Sequence, residues 1–500
     1  MGMGVAKCRQ TRSIPWSCFM TAPRIRSRIA GEWLEHGHVH EIRNPADTAE
    51  TVATAVFAEP SEADRAVWNA RSAFDLWRRM PLMQRSHILF SASRRIGERS
   101  QSIARSISRE QGKVLPEAMG EVQRASDIFA YFAGEVLRMH GEHYPSTRVN
   151  TEIEVVREPV GVVLAITPWN FPVAIPATKM AAALAYGNSV ILKPSEVTPI
   201  STSLLVEAIV DAGVPESVLT LLIGGGQLGG ELARHPGVDA ISFTGSMETG
   251  RSIRRAAAET DAELQLELGG KNAWIVLDDA DPALAARIAA ESAFLGTGQR
   301  CTASSMVLVT PGIRGAFLDH LREEVARFTT GDPLDPEVRI GPLVSAAQRD
   351  KVETYLQQAR AVGYRMTTGP APRSSRAGYF VVPHLFESVE QEDPLATDEI
   401  FGPVLATIDV PNLDAALMIA NRSPYGLSGG ICTQSLDAVQ KFKREIEAGI
   451  VTVNLPTAGS EPHVPFGGIK QSSHGPRELS GHAASFFTRT RTIYISSVPA

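Results

Sequence analysis

Residues 161–250 repeat one rhythm. A short, wholly apolar run at 161–166 precedes a helical pattern at 176–186 that Gly187 ends. The next run, 189–192, precedes a helical pattern at 200–212 ended by Gly213. The run 218–223 leads into a glycine cluster, and 238–243 leads through a glycine into a helix from Met247. Runs this short and this apolar have no wet face, so the helices between them must cover both sides. That constrains the chain to a parallel, doubly wound α/β sheet, which binds ligands beyond the carboxyl ends of its strands. A second α/β stretch runs from 273 to about 454, with strands expected at 274–277, 305–309 and 450–453. With 500 residues, 43% of them hydrophobic, the chain is long enough for two or three domains.

The flanks read differently. From Ser61, which with Asp64 forms a capping-box pattern, apolar residues follow at helical spacing (Ala63, Val67, Ala70, Phe74, Trp77), and helical patterns continue to about Gly134. Residues 151–158 alternate, with Thr151, Ile153 and Val155 against Glu152 and Glu154. The tail 486–495 alternates too, with Arg489 and Arg491 against Thr488, Thr490 and Thr492. Two lone strands expose their edges, so they are predicted to pair with each other and with another subunit, giving a homodimer or tetramer. Residues 1–27 carry Lys7, Arg9, Arg12, Arg24 and Arg26 and no acid. A transit peptide is one reading; a disordered or misannotated extension, with Met20 as an alternative start, is the one adopted.

Net charge excludes two classes of partner. At −6 the chain offers no general basic surface to nucleic acid or anionic lipid. No apolar run nears the roughly 18 residues that span a bilayer. Four scattered cysteines (Cys8, Cys18, Cys301, Cys432) contain no CxxC pair. Neither a disulfide framework nor a metal site is expected, and free thiols suit a reducing cytoplasm.

Several short motifs can carry chemistry. Cys301 sits in a glycine-flanked loop beside Arg300, where a neighbouring cation can lower a thiol pKa and make a nucleophile; a buried, inert cysteine is the alternative. Glu267 ends an apolar run before Gly269 and Gly270, as a general base or a solvated turn residue. Asn170, in Thr167-Pro168-Trp169-Asn170, follows the run 161–166 and could donate to an oxyanion, or merely cap a turn. Gly224, Gly226 and Gly230 form GxGxxxG, not the usual dinucleotide fingerprint. Gly245 and Ser246 open a helix in a way that suits a phosphate. Lys193 and Glu196 could bracket a ribose or form a surface ion pair.

In this order and spacing the motifs resemble the aldehyde dehydrogenase superfamily, over about 28–494. Glu399-Ile400-Phe401-Gly402-Pro403, Asn454 and Pro465-Phe466-Gly467-Gly468 extend the match. The resemblance implies two doubly wound parallel-sheet domains plus a small β arm: 28–144 and 160–267 dinucleotide-binding, 268–470 catalytic, 145–159 and 471–500 oligomerisation strands. It implies oxidation of an aldehyde to an acid, with Cys301 attacking, Asn170 and the Cys301 amide holding the oxyanion, and Glu267 activating the water that cleaves a thioester. Lys179 and Glu478 would relay protons. Lys193 and Glu196 would meet the adenosine ribose, Glu399 the nicotinamide ribose with Phe401 packing against it, and Gly245 and Ser246 the pyrophosphate; Trp169 would line the same cleft, and Gly226 would also bind the cofactor. The cofactor would be NAD or NADP, with NAD favoured because Glu196 would repel a 2′-phosphate.

Within that superfamily the chain is most similar to α-ketoglutaric semialdehyde (2,5-dioxovalerate) dehydrogenases, through 298–303, 453–459, 463–468 and 475–478. A short aldehyde with a distal carboxylate is then implied, with Arg300 as a candidate carboxylate ligand and a structural arginine as the equal alternative. Thr178, where that subgroup tends to have tryptophan and succinic semialdehyde dehydrogenases have arginine, and Glu461 depart from the pattern. Leu479-Ser480 departs too. Succinic semialdehyde, another aldehyde, or a coenzyme A-acylating reaction are alternatives, and a non-catalytic protein on the same scaffold is the remaining one.

Overall fold

The computed structural model describes residues 22–497. The rhythm of 161–250 becomes an eight-stranded sheet whose parallel centre is Glu263–Glu267, Ala240–Thr244, Val162–Ile166, Ser189–Lys193 and Leu219–Leu221, in that spatial order. Val162–Ile166 and Ser189–Lys193 are buried at every position, as runs without a wet face must be. Helices Ala174–Ala185 and Pro199–Asp211 cross between strands. Trp77 closes one core: it is fully buried and its Nε1 donates to the Leu184 carbonyl at 2.9 Å. Truncating such a side chain costs about 3–5 kcal/mol.

The second sheet has seven strands. His384–Glu387, Val404–Asp409, Ser304–Val309, Asn272–Val276, Ser428–Cys432 and Ile450–Val453 run parallel, with Arg365–Thr368 antiparallel on the edge. The three strands expected here from the sequence are present. His384–Glu387, Val404–Asp409 and Ser428–Cys432 were not anticipated, because Gly429 and Gly430 and the neighbouring polar residues blur their apolar pattern.

The two alternating segments pair: Thr488–Ser496 runs antiparallel to Thr151–Pro159, and Glu142–Pro145 adds a third strand. Three readings need correction. Ser61 does not cap Glu62–Arg78; its own backbone is already helical and its side chain makes no cap hydrogen bond. The expected extension 1–27 is too long at its inner end, because Arg24–Arg26 forms a strand parallel to Thr54–Val56; residues 1–21 lie outside the described residues. Residues 471–500 are not only an arm, since Ser473–His474 returns to the first sheet and pairs with Leu266 and Glu267. A two- or three-residue strand is too short to carry a period, so neither could be read from sequence.

Candidate active site

Two cavities meet at Cys301. One, of about 450 Å³, lies beyond the carboxyl ends of the first sheet's strands and is lined by Trp169, Asn170, Lys193, Glu196, Gly226, Gly245, Ser246, Glu399 and Phe401. The other, of about 360 Å³, is lined by Glu267, Glu478, Thr178, Phe171, Phe466 and Arg300 among others. Ile175, Thr244, Leu268 and Cys301 belong to both. Every residue that the resemblance assigns to the cofactor therefore lines one cleft.

The loop that carries Cys301 is held by backbone geometry. Helix Pro282–Phe294 stops before Gly296, Thr297 and Gly298, all at positive φ. At Gly298 a Cβ would lie 2.1 Å from the Gly402 carbonyl, so only glycine fits this turn. Glu399 packs its carboxylate against Gly269, where a Cβ would lie 2.1 Å from Oε2, and Gly270 N–H donates to Oε1 at 3.0 Å. Phe401 holds a φ of 61°, an uncommon state for an aromatic residue, and stacks edge-on against Trp169 at 5.5 Å.

Electrostatics corrects one expectation. Arg300 does not lower the Cys301 thiol: its guanidinium turns to Glu117, Nη2 to Oε2 at 2.7 Å. Burial, with the Glu399 and Glu267 carboxyls adding to it, pushes the thiol up to about 12. The backbone N–H groups of Cys301 and Thr302 face the sulfur and oppose that rise. Asn170 Nδ2 donates one hydrogen to the Gln299 carbonyl at 3.0 Å, which fixes the amide while its second hydrogen remains available.

Glu267 is buried, and burial together with the neighbouring Glu478 raises its carboxyl well above the usual range. Ser473 Oγ donates to its Oε2 at 2.6 Å, while Oε1 is buried with no partner. Behind it Lys179 Nζ pairs with Glu478 Oε1 at 2.6 Å and donates to Ser242 Oγ at 2.9 Å. The two relay residues read from sequence are thus in direct contact, next to the base they would serve. Removing either partner alone would strand a buried charge, at about 3–5 kcal/mol.

Two substrate-side expectations fail on position or chemistry. Glu461 is exposed, pairs with His463 at 3.5 Å and does not line the cavity; the polar loop around it faces water. Arg300 lines the cavity, but its charge is matched by Glu117, whose other oxygen accepts from Gly296 N–H at 3.1 Å. Thr178 does line the cavity, its hydroxyl donating to the Ala174 carbonyl at 3.0 Å. Lys113, Glu117, Glu121 and Arg124 were missed. They come from Gly112–Glu135, where the helical period was visible but its cavity-facing side was not.

The chain matches the model of the aldehyde dehydrogenase family over residues 33–493. The chain belongs to that family. It is 40% identical over 473 residues to an α-ketoglutaric semialdehyde dehydrogenase of Bacillus subtilis, covering 93% of this chain and 97% of the relative. It is 39% identical to an α-ketoglutarate semialdehyde dehydrogenase of Haloferax volcanii, covering 95% and 100%. A betaine aldehyde dehydrogenase of Staphylococcus aureus, solved with NAD+, superposes with a TM-score of 0.91 at 32% identity, covering 95% of each chain. This aldehyde dehydrogenase accordingly oxidises an aldehyde with a nicotinamide dinucleotide. The cleft suits that cofactor. Gly225 and Gly226 have open space where side chains would project, and helix Gly226–Arg234 starts without a side-chain cap. Lys193 is buried with Glu196 at 3.4 Å, and Thr244 Oγ1 is buried without a partner. No helix among the described residues is long and apolar enough to cross a membrane.

Proposed function

We propose that this aldehyde dehydrogenase oxidises a short aldehyde bearing a distal carboxylate, 2,5-dioxopentanoate or a close analogue, to the dicarboxylate, with NAD preferred over NADP. The observation that carries the reading is that the cavity holding Cys301 and Glu267 is also lined by Arg124, which no carboxylate among the described residues ion-pairs, whereas its Lys113 and Arg300 are taken up by Glu121 and Glu117. The semialdehyde relatives support it, and Glu196 in the cleft favours a ribose without a 2′-phosphate. We place the enzyme in the cytoplasm, where Cys301 stays a free thiol, and assemble it as a homodimer or tetramer through the edge of the Thr488–Ser496 sheet.

The residues divide the work. Cys301 Sγ bonds to the aldehyde carbon as its proton leaves, and the oxyanion falls to the Asn170 amide and the Cys301 backbone N–H. The nicotinamide ring, when bound, supplies the hydride acceptor. A thioester then remains on Cys301, and splitting the reaction there replaces one hard step by two easier ones. Glu267, through the unpartnered Oε1, takes a proton from the water that attacks the thioester. Its high proton affinity suits it to accept that proton, and Glu478–Lys179–Ser242 leads it away from the cavity. One aldehyde, one water and one oxidised cofactor give one carboxylate, one reduced cofactor and two protons.

The test is a panel of aldehydes with and without a distal carboxylate, each run with NAD and with NADP. The reading expects higher kcat/KM for the carboxylate-bearing members and for NAD. Preference for neutral aldehydes would overturn the substrate assignment, and preference for NADP the cofactor assignment.

A further inference from the structure

Helix Leu115–Glu135 turns one face to the Cys301 cavity: Glu117, Gly120, Glu121 and Arg124 lie at helical spacing and all line it. Their charges are not left to chance. Glu121 pairs with the buried Lys113 and accepts the Val173 and Ala174 N–H groups at 2.8 and 3.1 Å. Glu117 is taken up by Arg300 and Gly296. Both cavity carboxylates on this helix are therefore saturated, and each has neutralised one cation.

Arg124 is left over. Its guanidinium is half-buried at the cavity wall, and its one hydrogen-bond partner among the described residues is Ser460 Oγ, 2.6 Å from Nη1. No carboxylate among the described residues lies within ion-pairing distance of it. The carboxylates nearest to it are engaged elsewhere: Glu121 pairs with Lys113, Asp127 accepts from Gln123, and the exposed Glu461 pairs with His463. Burial holds the Arg124 pKa below its ordinary value, and the carboxylates of Glu121, Asp127 and Glu461, acting from beyond ion-pairing distance, offset that only in part. A guanidinium presents five donors in a fork that suits a carboxylate, and most of them are unused here. Gly120, one turn earlier, has open space where a side chain would stand. Glycine is a poor residue inside a helix, and its effect here is to keep room beside Arg124.

We propose that Arg124, seconded by Ser460, binds the distal carboxylate of the aldehyde and sets the substrate preference of this enzyme. The inference rests on the reading that the substrate carries such a carboxylate. It replaces Arg300, whose charge Glu117 already holds, and it needs no arginine at position 178. With the aldehyde carbon at Cys301 and the carboxylate at Arg124, the substrate is gripped at both ends. A carboxylate fits because it supplies the charge and the two acceptors that the wall lacks.

The experiment compares 2,5-dioxopentanoate with pentanal on the wild type, Arg124→Met, Arg124→Lys and Ser460→Ala. Losing a desolvated charge pair raises KM for 2,5-dioxopentanoate by roughly 30-fold or more in Arg124→Met. Its kcat stays within a few-fold, because the anchor grips ground and transition states alike. Pentanal loses far less, Arg124→Lys recovers part of the KM, and glutarate, a competitive inhibitor of the wild type, weakens in parallel with 2,5-dioxopentanoate. Retained preference for the carboxylate in Arg124→Met, or equal losses on both substrates, overturns the inference while the substrate reading stands. A wild type that shows no preference overturns both. Should Arg124→Met fail to fold, the other two variants decide: a selective rise in KM supports the anchor, and unchanged KM values in both overturn it.

Discussion

Cys301 sits where its thiol is hard to ionise. Pushed up to about 12, against about 8.5 for a free cysteine, it is protonated at neutral pH in the cofactor-free enzyme. The thiolate fraction then rises about tenfold per pH unit up to that value. Alkylation of cofactor-free enzyme by iodoacetamide should therefore climb log-linearly from about pH 7 to about pH 10; a plateau near pH 8.5 would show an ordinary thiol. Cys301, Glu267 and Asn170 could be proposed from sequence because three motifs reinforced one another, and the fold brings them to adjoining cavities. The state of the thiol could not be proposed, since it depends on burial and on where Arg300 turns. For the same reason the sequence left Arg300 equally open as a carboxylate ligand or a structural arginine: Glu117 stands far from it in the chain, and only the fold pairs them.

At the scale of elements, alternation was the strongest signal. For the segments near 153 and 490 it anticipated the pairing that Thr151–Pro159 and Thr488–Ser496 make along nine residues, while unbroken apolar runs placed four of the five parallel core strands of the first sheet. Thr488–Ser496 lies at an edge of its three-stranded sheet and carries exposed Arg489 and Arg491. Truncation after Phe487 should lower the assembly state seen by light scattering, with the truncated chain monomeric or aggregated. An unchanged oligomer would place the interface elsewhere. Elements without a clean period were missed, Arg24–Arg26 and Ser473–His474 because they are so short. The second of these matters for chemistry, because it brings Ser473 Oγ onto Glu267 from the far end of the chain.

For the whole molecule, the residues proposed to react come from separate regions. Asn170 follows a strand of the first sheet, Glu267 ends another, Cys301 precedes a strand of the second sheet, and the tail supplies Ser473 and Glu478. Such a site exists only when both sheets and the returning tail are in place. A ligand that fills the cleft therefore stabilises all three together; at one hundred times its Kd it adds about 2.7 kcal/mol. The central claim is that Cys301 carries a thioester that Glu267 sends water to cleave. Rapid mixing of Glu267→Gln with aldehyde and NAD measures it most directly. A burst of one reduced cofactor per active site, followed by a steady rate slowed by roughly 100-fold or more, is the predicted result. A Glu267→Gln enzyme that turns over at the wild-type steady rate would contradict it.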